Sequence, residues 1–228
     1  IALGGDVIAT GGFRGTATLG GADLVSLGGG RDVFVARFRG SDGAHVWSRR
    51  YGGVSEDTSY ALATDGTRFF VGGQFAGTAN FGGADLTAAG GFDAFVSAYG
   101  AGDGTHLWSS RFGGTSNDGT VGLAASPTQL TATISFVDTI KIGDQSLIAG
   151  VSDIENPDTA IVRLEQANGV PTRVSYFGST TLDNNGTAIS YAGSQLAGCG
   201  TFAGTTDLFG TDLVSLGAED IAVFRVGF

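Results

Sequence analysis

The sequence predicts an all-β fold and, within that class, a β-propeller of four-stranded antiparallel blades. One pattern recurs four times along the 228 residues, at intervals of about sixty residues, as in a supersecondary unit stacked on copies of itself. Short apolar runs bounded by glycine occur throughout, and no window of about ten residues or more places apolar side chains at helical spacing. About four blades are therefore expected in this chain, as part of a larger or incomplete ring.

Each repeat is predicted to contain four short strands. In the second copy they cover residues 59–64, 69–75, 94–99 and 105–112. We call a position that recurs in each copy of the repeat a column. The third strand is the most regular of the four strands, because a gapless apolar run follows each of the aspartates Asp32, Asp93, Asp158 and Asp220. A strand that is apolar almost throughout is covered on both faces, so the third strand is expected inside its blade.

The fourth strand alternates instead. His45, Trp47 and Arg49 point to one side, and Val46 and the residues between them point to the other. In the third copy Pro171 takes the histidine column, and proline is tolerated mainly at sheet edges. The fourth strand is therefore predicted to be the outermost strand of its blade.

The turn before the fourth strand carries a positive-φ dipeptide in three copies: Asp42-Gly43, Asp103-Gly104 and Asn168-Gly169. Hairpins are therefore predicted there, and inner apolar strands with an amphipathic last strand are typical of a propeller blade. A parallel solenoid is the structural alternative, but its coils are usually much shorter than about 60 residues.

The repeat runs from one end of the sequence to the other, which predicts a single domain with units at roughly 1–53, 54–114, 115–179 and 180–228. The first unit holds almost no first strand, and the last unit holds no fourth strand. Propellers usually close by pairing strands from both termini, so we expect these residues to be part of a longer polypeptide or of an assembly.

Composition narrows the possible partners. A formal charge of −10 would repel a phosphate backbone, so nucleic acid is not expected to bind. No apolar run is long enough to span a membrane as a helix. Cys199 is the sole cysteine, which rules out an internal disulfide, and its column is held by Gly72 in the second copy, so a buried small residue is predicted.

Residues 77–96, GTANFGGADLTAAGGFDAFV, followed by Trp108 and by Arg111-Phe112-Gly113-Gly114, resemble the bacterial extracellular β-propeller repeat family (SBBP-like repeats). The resemblance covers essentially the whole chain and is strongest in the first two copies. It implies a secreted or surface-attached propeller, often within large multidomain proteins of high-GC bacteria. The family brings no catalytic residues that could be transferred to this chain.

Two sets of polar residues are candidate ligands for a metal ion. His45 and His106 occupy one column at the outer edges of blades, and blades diverge outward, so a structural role is favoured for both. Asp57, Asp118 and Asp183 belong to an acidic column between blades, where a short carboxylate can accept backbone N–H groups and hold a turn. A calcium site in each blade, at these aspartates, is the alternative.

The third copy departs from the repeat. It gains Lys141, replaces the tryptophan with Arg173 and carries an inserted stretch at 151–157. Loops that break an otherwise regular pattern are where partners bind, and the candidate partner-binding residues of this stretch are Asp153, Glu155 and Asn156. A drifted loop without function is the alternative.

The sequence favours a non-enzymatic structural or interaction module outside the cell or on its surface, which binds protein or glycan partners through propeller loops. No catalytic residue and no cofactor is assigned, because each prominent carboxylate is one of several near-equivalents, whereas paired catalytic carboxylates need one raised pKa in an asymmetric pocket. The alternative is a lectin, hydrolase or lyase with a site in the central channel, possibly calcium-dependent.

Overall fold

The computed structural model describes residues 1–149, 157–178, 184–209, 211–217 and 220–227, and every regular element within these ranges is a β-strand. Each repeat contributes a set of consecutive antiparallel strands, and the fold is a β-propeller in class, as predicted. Among the described residues there is no helix of the length and hydropathy needed to cross a membrane.

The strands fall into four blades. Blade 1 contains β1 (Ala2–Leu3), β2 (Asp6–Phe13), β3 (Thr16–Ala17), β4 (Leu24–Val25), β5 (Asp32–Phe38) and β6 (His45–Gly53). Blade 2 contains β7 (Asp57–Thr64), β8 (Arg68–Asn80), β9 (Asp85–Gly100) and β10 (His106–Phe112). Blade 3 contains β11 (Asp118–Ala125), β12 (Leu130–Phe136), β13 (Thr139–Ile142), β14 (Gln145–Ile148), β15 (Asp158–Leu164) and β16 (Pro171–Gly178). Blade 4 contains β17 (Asn184–Ala192), β18 (Gln195–Phe202), β19 (Thr205–Leu208), β20 (Thr211–Val214) and β21 (Asp220–Gly227).

Strand order within a blade follows the chain. Blade 2 runs β7-β8-β9-β10, and blade 3 runs β11-β12-β15-β16. The first strands of blades 2, 3 and 4 lie side by side, with β11 in contact with both β7 and β17. These first strands are therefore the innermost ones, as the propeller prediction requires.

A feature that the sequence analysis missed is a hairpin extension between the second and third strands of every blade. It is formed by β3 and β4 in blade 1, by the far ends of β8 and β9 in blade 2, and by separate strand pairs in blades 3 and 4. The end of one blade's fourth strand pairs with the next blade's extension: Gly52 and Gly53 with Asn80 and Ala79, for example. The fourth strand is therefore outermost in its own blade without being a free edge along its whole length.

The same connection recurs between the other blades. Gly113 forms a bridge with Lys141, and Phe177 and Gly178 pair with Leu208 and Asp207. Glycine suits this position, because a Cβ on Gly53 would lie 2.0 Å from the carbonyl oxygen of Thr78 and a Cβ on Gly114 would lie 1.8 Å from that of Thr139. The double glycines at the end of strand four thus permit close backbone approach between blades.

Alternate residues of the third strand pack against different neighbours. In β9, Phe95 and Tyr99 join the apolar cluster shared with blade 1, whereas Ala94 and Val96 join the cluster shared with blade 3. We call the side turned to the next blade the front face and the side turned to the preceding blade the back face. The prediction that this strand is covered on both faces is confirmed for blades 2 and 3.

The predicted turns before strand four are present. Gly43, Gly104 and Gly169 have φ of +71°, +68° and +73°, in the region that glycine adopts without strain. The tryptophan of one blade lies against this turn in the next blade: a Cβ on Gly104 would come within 2.9 Å of the Trp47 ring, and one on Gly169 within 2.5 Å of the Trp108 ring. The turn therefore also serves as a contact between blades.

A group of hydrogen bonds centred on Gln166, which we call the polar brace, joins blades 2 and 3 next to this turn. The backbone carbonyl of Gln166 accepts hydrogen bonds from Trp108 Nε1 and from Arg68 Nη1, each at 2.9 Å. The Gln166 amide in turn donates to the carbonyls of Ser126 and Gln129, at 2.8 and 3.0 Å. Between blades 1 and 2, Arg37 Nη1 donates to the carbonyls of Ala101 and Gly102, at 2.8 and 2.6 Å.

The prediction of a buried Cys199 is wrong. The side chain is half-buried on the front face of blade 4, and its cross-strand neighbour there is Val223. Val223 is 80% exposed. The equivalent pair in blade 2, Gly72 and Val96, is covered by blade 3, which places Thr120 and Leu123 next to Gly72.

Candidate functional site: acidic turns and two pockets

The leading aspartates are structural hydrogen-bond acceptors at the entry to the third strand. Asp32 accepts the backbone N–H of Leu27 at 3.1 Å and the guanidinium of Arg50 at 2.6 Å, both on Oδ2. Asp93 accepts the backbone N–H of Ala89 at 3.0 Å and pairs with Arg111. Both carboxylates are fully buried, so the arginine of the facing strand supplies the charge that burial requires.

The remaining copies keep the aspartate and change its partner. Asp158 accepts the hydroxyl of Tyr176, which stands in the arginine column, and Asp220 accepts the backbone N–H of Leu216 at 2.7 Å. The aspartates of this column therefore accept hydrogen bonds at the turn and at the start of the third strand, as expected.

A second buried carboxylate stands where each blade begins. Asp57 and Asp118 are the first residues of β7 and β11, and their Oδ2 atoms accept the backbone N–H groups of Gly53 and Gly114 at 2.7 and 2.8 Å. The Oδ1 atoms of both carboxyls are buried without a hydrogen-bond partner. This is the turn-holding geometry that the sequence favoured for the acidic column.

Burial changes the acidity of both groups. Desolvation raises the pKa of Asp118 to about 7, opposed by the N–H of Gly114 and reinforced by the negative charge of Asp93. Desolvation likewise raises the pKa of Asp57 to about 6, opposed by the N–H of Gly53 and reinforced by Asp32. An aspartate that is paired with arginine therefore lies near a poorly solvated aspartate in two places: Asp32 near Asp57, and Asp93 near Asp118.

The calcium hypothesis stays a prediction. Across residues 1–149 and the other described ranges, no three His, Cys, Asp or Glu side chains form a group that could hold a metal ion. Asp183, the third carboxylate of the predicted set, lies outside the described residues. Arg50 and Arg111 already supply positive charge next to the two aspartate pairs.

The two histidines lie within their own blades. His45 Nε2 is 3.1 Å from Ser48 Oγ, and His106 Nε2 is 2.8 Å from Ser109 Oγ. Each ring lies under the glycines of its own blade's hairpin extension: a Cβ on Gly83 would be 2.4 Å from the His106 ring. Partial burial lowers the pKa of His106, which disfavours its charged form. The geometry fits the structural role.

One pocket opens where the innermost strands of blades 2, 3 and 4 end together. It has a volume of about 260 Å³, and its wall consists of Leu62, Ala63, Thr64, Leu123, Ala124, Ala125, Ile189, Ser190 and Tyr191. We call it the axial pocket. Its wall contains no carboxylate, and Tyr191, its one aromatic residue, is hydrogen-bonded to Thr131 at 2.7 Å.

A second pocket lies between blades 2 and 3, beside the acidic turn. Its volume is about 180 Å³, and its wall consists of Tyr60, Gln74, Asn117, Asp118, Gly119, Val121, Ser135, Val137 and Pro157. We call it the Tyr60 pocket. Tyr60 is 53% exposed, whereas Asp118 of the same wall is 2% exposed. An accessible aromatic face with amide, hydroxyl and carboxyl groups around it is suited to binding a small polar ligand.

The sequence analysis identified one residue of this wall, Asp118, and missed Tyr60, Gln74 and Ser135. No repeat column marks those three, so a single sequence carried no signal for them. The predicted partner-binding residues Asp153, Glu155 and Asn156 lie outside the described residues. Pro157, which ends their inserted stretch, is part of the wall.

Comparisons with known proteins show a likeness among solved structures. No family model matches the chain, and no curated protein matches it. Among solved structures, the chain is similar to BamB from Moraxella catarrhalis, with 13% sequence identity and a TM-score of 0.37 over 88% of this chain. The match spans 63% of that chain's length. Because no family model matches, the resemblance to the extracellular repeat family stays a prediction.

Proposed function

We propose that this propeller is a non-enzymatic interaction module that acts outside the cell or on its surface. The blades form a rigid scaffold, and the binding site is the Tyr60 pocket, which takes a group from a protein or glycan partner. With a volume of about 180 Å³, the pocket is smaller than the roughly 300–1,000 Å³ of sites for drug-sized ligands. One sugar ring or one side chain is the size of group that it accommodates.

The observation that carries this proposal is the composition of the pocket wall. Tyr60 presents an accessible ring, and Gln74, Asn117 and Ser135 place amide and hydroxyl groups next to it. Polar groups at fixed positions around an aromatic face select hydroxyl-bearing or amide-bearing ligands. Pro157 brings the segment that breaks the repeat to the same wall, which supports a role in recognition for that segment.

The placement of the titratable groups supports the non-enzymatic part of the proposal. The raised pKa of Asp118 has a counterpart in Asp57, so it is a property of the repeat and not of one special site. Asp32 and Asp93 are neutralised by arginines. A hydrolase needs two carboxylates with divided roles in one pocket, and the described walls of the axial and Tyr60 pockets hold one between them.

Binding to an array of glycans and to extracellular proteins tests the proposal, with Tyr60→Ala as the site variant. We expect the variant to lose about tenfold or more in affinity, since stacking on an aromatic ring contributes roughly 1 to 3 kcal/mol. Leu107→Ala is the matched control, because Leu107 is 47% exposed on β10 and lies outside the pocket wall. Unchanged affinity in Tyr60→Ala, or cleavage of a bound glycan by the wild-type protein, would contradict the proposal.

A further inference from the structure

The space under the hairpin extension is filled by a histidine ring in blades 1 and 2. In blade 2, a Cβ on Gly82 would be 2.9 Å from His106 Cβ, and one on Gly83 would be 2.4 Å from Cε1 of the ring. In blade 1, a Cβ on Gly21 would be 2.3 Å from Cε1 of the His45 ring. The tip of the extension and the start of the fourth strand therefore enclose a space that an imidazole ring fits.

Blade 3 changes two of these columns together. Pro171 takes the histidine column, and Asp144 takes the column of Gly83. The tip still lies over the fourth strand, because a Cβ on Gly143 would be 3.7 Å from Pro171 Cγ. In blade 2 the ring of His106 leaves no room for a side chain on Gly83, so the replacement of that ring by proline is what makes room for the aspartate.

A pocket of about 180 Å³ lies at this place in blade 3. Its wall is formed by residues 142–145 and 171–174, and we call it the Pro171 pocket. Ile142 is 1% exposed, and Pro171 and Val174 are half-buried. Asp144 and Gln145 are exposed, so a carboxylate and an amide lie on the solvent side of an apolar space.

The cations of the neighbouring strands point elsewhere. In β16, Arg173 lies across from Arg163, whereas Pro171 lies across from Leu164. Arg163 and Leu164 are successive residues of β15 and point to opposite faces, so the guanidinium of Arg173 points away from the face that carries Pro171. Lys141 is exposed in β13, where both neighbouring residues are buried and point to the other side. Neither of these cations is therefore directed into the pocket.

We propose that the Pro171 pocket binds a protonated imidazole ring, from a histidine side chain of a partner or from a free imidazole compound. The ring lies where the histidine rings of blades 1 and 2 lie, and its N–H groups donate to the carboxylate of Asp144. Those two rings each have a serine hydroxyl next to Nε2, at 3.1 and 2.8 Å. Val174 takes the column of that serine, so Asp144 supplies the polar partner in blade 3. The formal charge of −10 also attracts a cation.

Titration with imidazole at about pH 6, where the ring is mostly protonated, tests the proposal by two-dimensional NMR of the backbone amide groups. We expect saturable shifts at residues 142–145 and 172–174, with a dissociation constant in roughly the millimolar range for a ligand of so few atoms. Pyrazole, a neutral ring of the same size, is expected to bind at least about tenfold more weakly, because it brings no charge to the carboxylate.

Two variants locate the site. Asp144→Asn is expected to weaken imidazole binding by about tenfold or more, as loss of a charged hydrogen-bond partner does. Asp85→Asn is the matched control, because Asp85 is an exposed carboxylate of the extension in blade 2, where His106 fills the space. The double variant Pro171→His with Asp144→Gly restores the blade 2 pair, so it is expected to fold and to lose binding. Circular dichroism verifies that each variant is folded.

A capped histidine, blocked at both ends, distinguishes the two sources of the ring. Binding as tight as that of imidazole assigns the pocket to a histidine side chain of a protein, and much weaker binding assigns it to a free imidazole compound.

The proposal is overturned if imidazole causes no saturable shift at the pocket, or if pyrazole binds equally well. Unchanged binding in a folded Asp144→Asn variant or in the folded double variant also overturns it. None of these results bears on the Tyr60 pocket, whose wall shares no residue with the Pro171 pocket.

Discussion

At the residue scale, one column of the repeat keeps one physical role while its chemistry varies. Asp32 and Asp93 are buried and paired with arginine, whereas Asp158 uses the hydroxyl of Tyr176. An ion pair with a buried carboxylate and a neutral hydrogen bond both satisfy the same acceptor. The repeat therefore keeps an aspartate that accepts hydrogen bonds at the start of the third strand, but the donor on the facing strand is charged in some copies and neutral in another.

Phe95 is the clearest test of the apolar part of a repeat. It is 0% exposed, and its ring is stacked on Phe81 with 4.0 Å between centroids. We expect Phe95→Ala to lower the free energy of unfolding by about 3 to 5 kcal/mol, as large-to-small core substitutions do. Chemical denaturation measures the change, and Leu107→Ala, on an exposed residue, is expected to stay within about 0.5 kcal/mol. A loss below about 1 kcal/mol in Phe95→Ala would show that its strand is not interior.

The carboxyl group of Asp118 is expected to make the stability of the protein depend on pH. Its folded-state pKa of about 7 lies well above the ordinary pKa of an aspartate, so below pH 7 the folded protein binds the proton more readily than the unfolded chain does. Its contribution to stability is therefore fully present at acid pH and is lost as pH rises through about 7. Asp118→Asn keeps the shape without the charge, so its stability relative to wild type is expected to rise between about pH 4 and pH 7.

Denaturation at several pH values measures that difference. Asp57→Asn is the matched variant, with the same geometry and a folded-state pKa of about 6, so its gain is expected to be complete at a lower pH. A difference between Asp118→Asn and wild type that does not change with pH would mean that the carboxyl is solvated in the folded protein.

At the scale of secondary-structure elements, the sequence predicted those strands and turns that depend on neighbouring residues. The aspartate columns and the Asp-Gly and Asn-Gly dipeptides predicted the third strand and its hairpin, because apolar alternation and positive φ are properties of neighbouring residues. The hairpin extensions were missed, because their separate strands are only two to four residues long and the extensions pair with the preceding blade. The exposure of Cys199 was missed for a related reason: burial of its column depends on contacts with another blade, as Thr120 and Leu123 make with Gly72, and not on neighbouring residues in the sequence.

The turn before strand four shows the difference between a feature that neighbouring residues determine and a feature that contacts between blades determine. Gly43 and Gly169 have nearly the same φ, +71° and +73°. A Cβ on Gly43 would meet nothing within 4 Å, whereas one on Gly169 would lie 2.5 Å from Trp108. We expect Gly43→Ala to lose about 1 to 2 kcal/mol from backbone strain alone and Gly169→Ala to lose about 1 to 3 kcal/mol more from displaced packing. Equal losses in thermal or chemical denaturation would show that the tryptophan does not bear on the turn.

At the scale of the whole molecule, each blade is held by its neighbours. The three apolar clusters lie between successive blades, so stability is close to a sum of blade terms and nearest-neighbour interface terms. A long chain of this kind unfolds in one step only while its interfaces are strong. The polar brace at Gln166 is one such coupling, because it joins strand two and strand four of blade 2 to a turn of blade 3.

Arg68→Ala weakens this coupling and also removes the ion pair between Arg68 Nε and Asp65 Oδ2, at 2.9 Å. Arg68 Nη1 and Nη2 donate to Gln166 O at 2.9 Å and Gln166 Oε1 at 3.3 Å, and we expect their loss to cost about 1.5 to 3 kcal/mol. Arg39→Ala is the matched control: Arg39 also pairs with an aspartate three residues away but is 54% exposed, so a change within about 0.5 kcal/mol is expected. Because Trp108 contacts Gln166, its fluorescence change is expected to precede the loss of circular dichroism in Arg68→Ala and to coincide with it in Arg39→Ala. Coincident transitions in Arg68→Ala would mean that the hydrogen bonds from Arg68 to Gln166 do not couple the unfolding of blades 2 and 3.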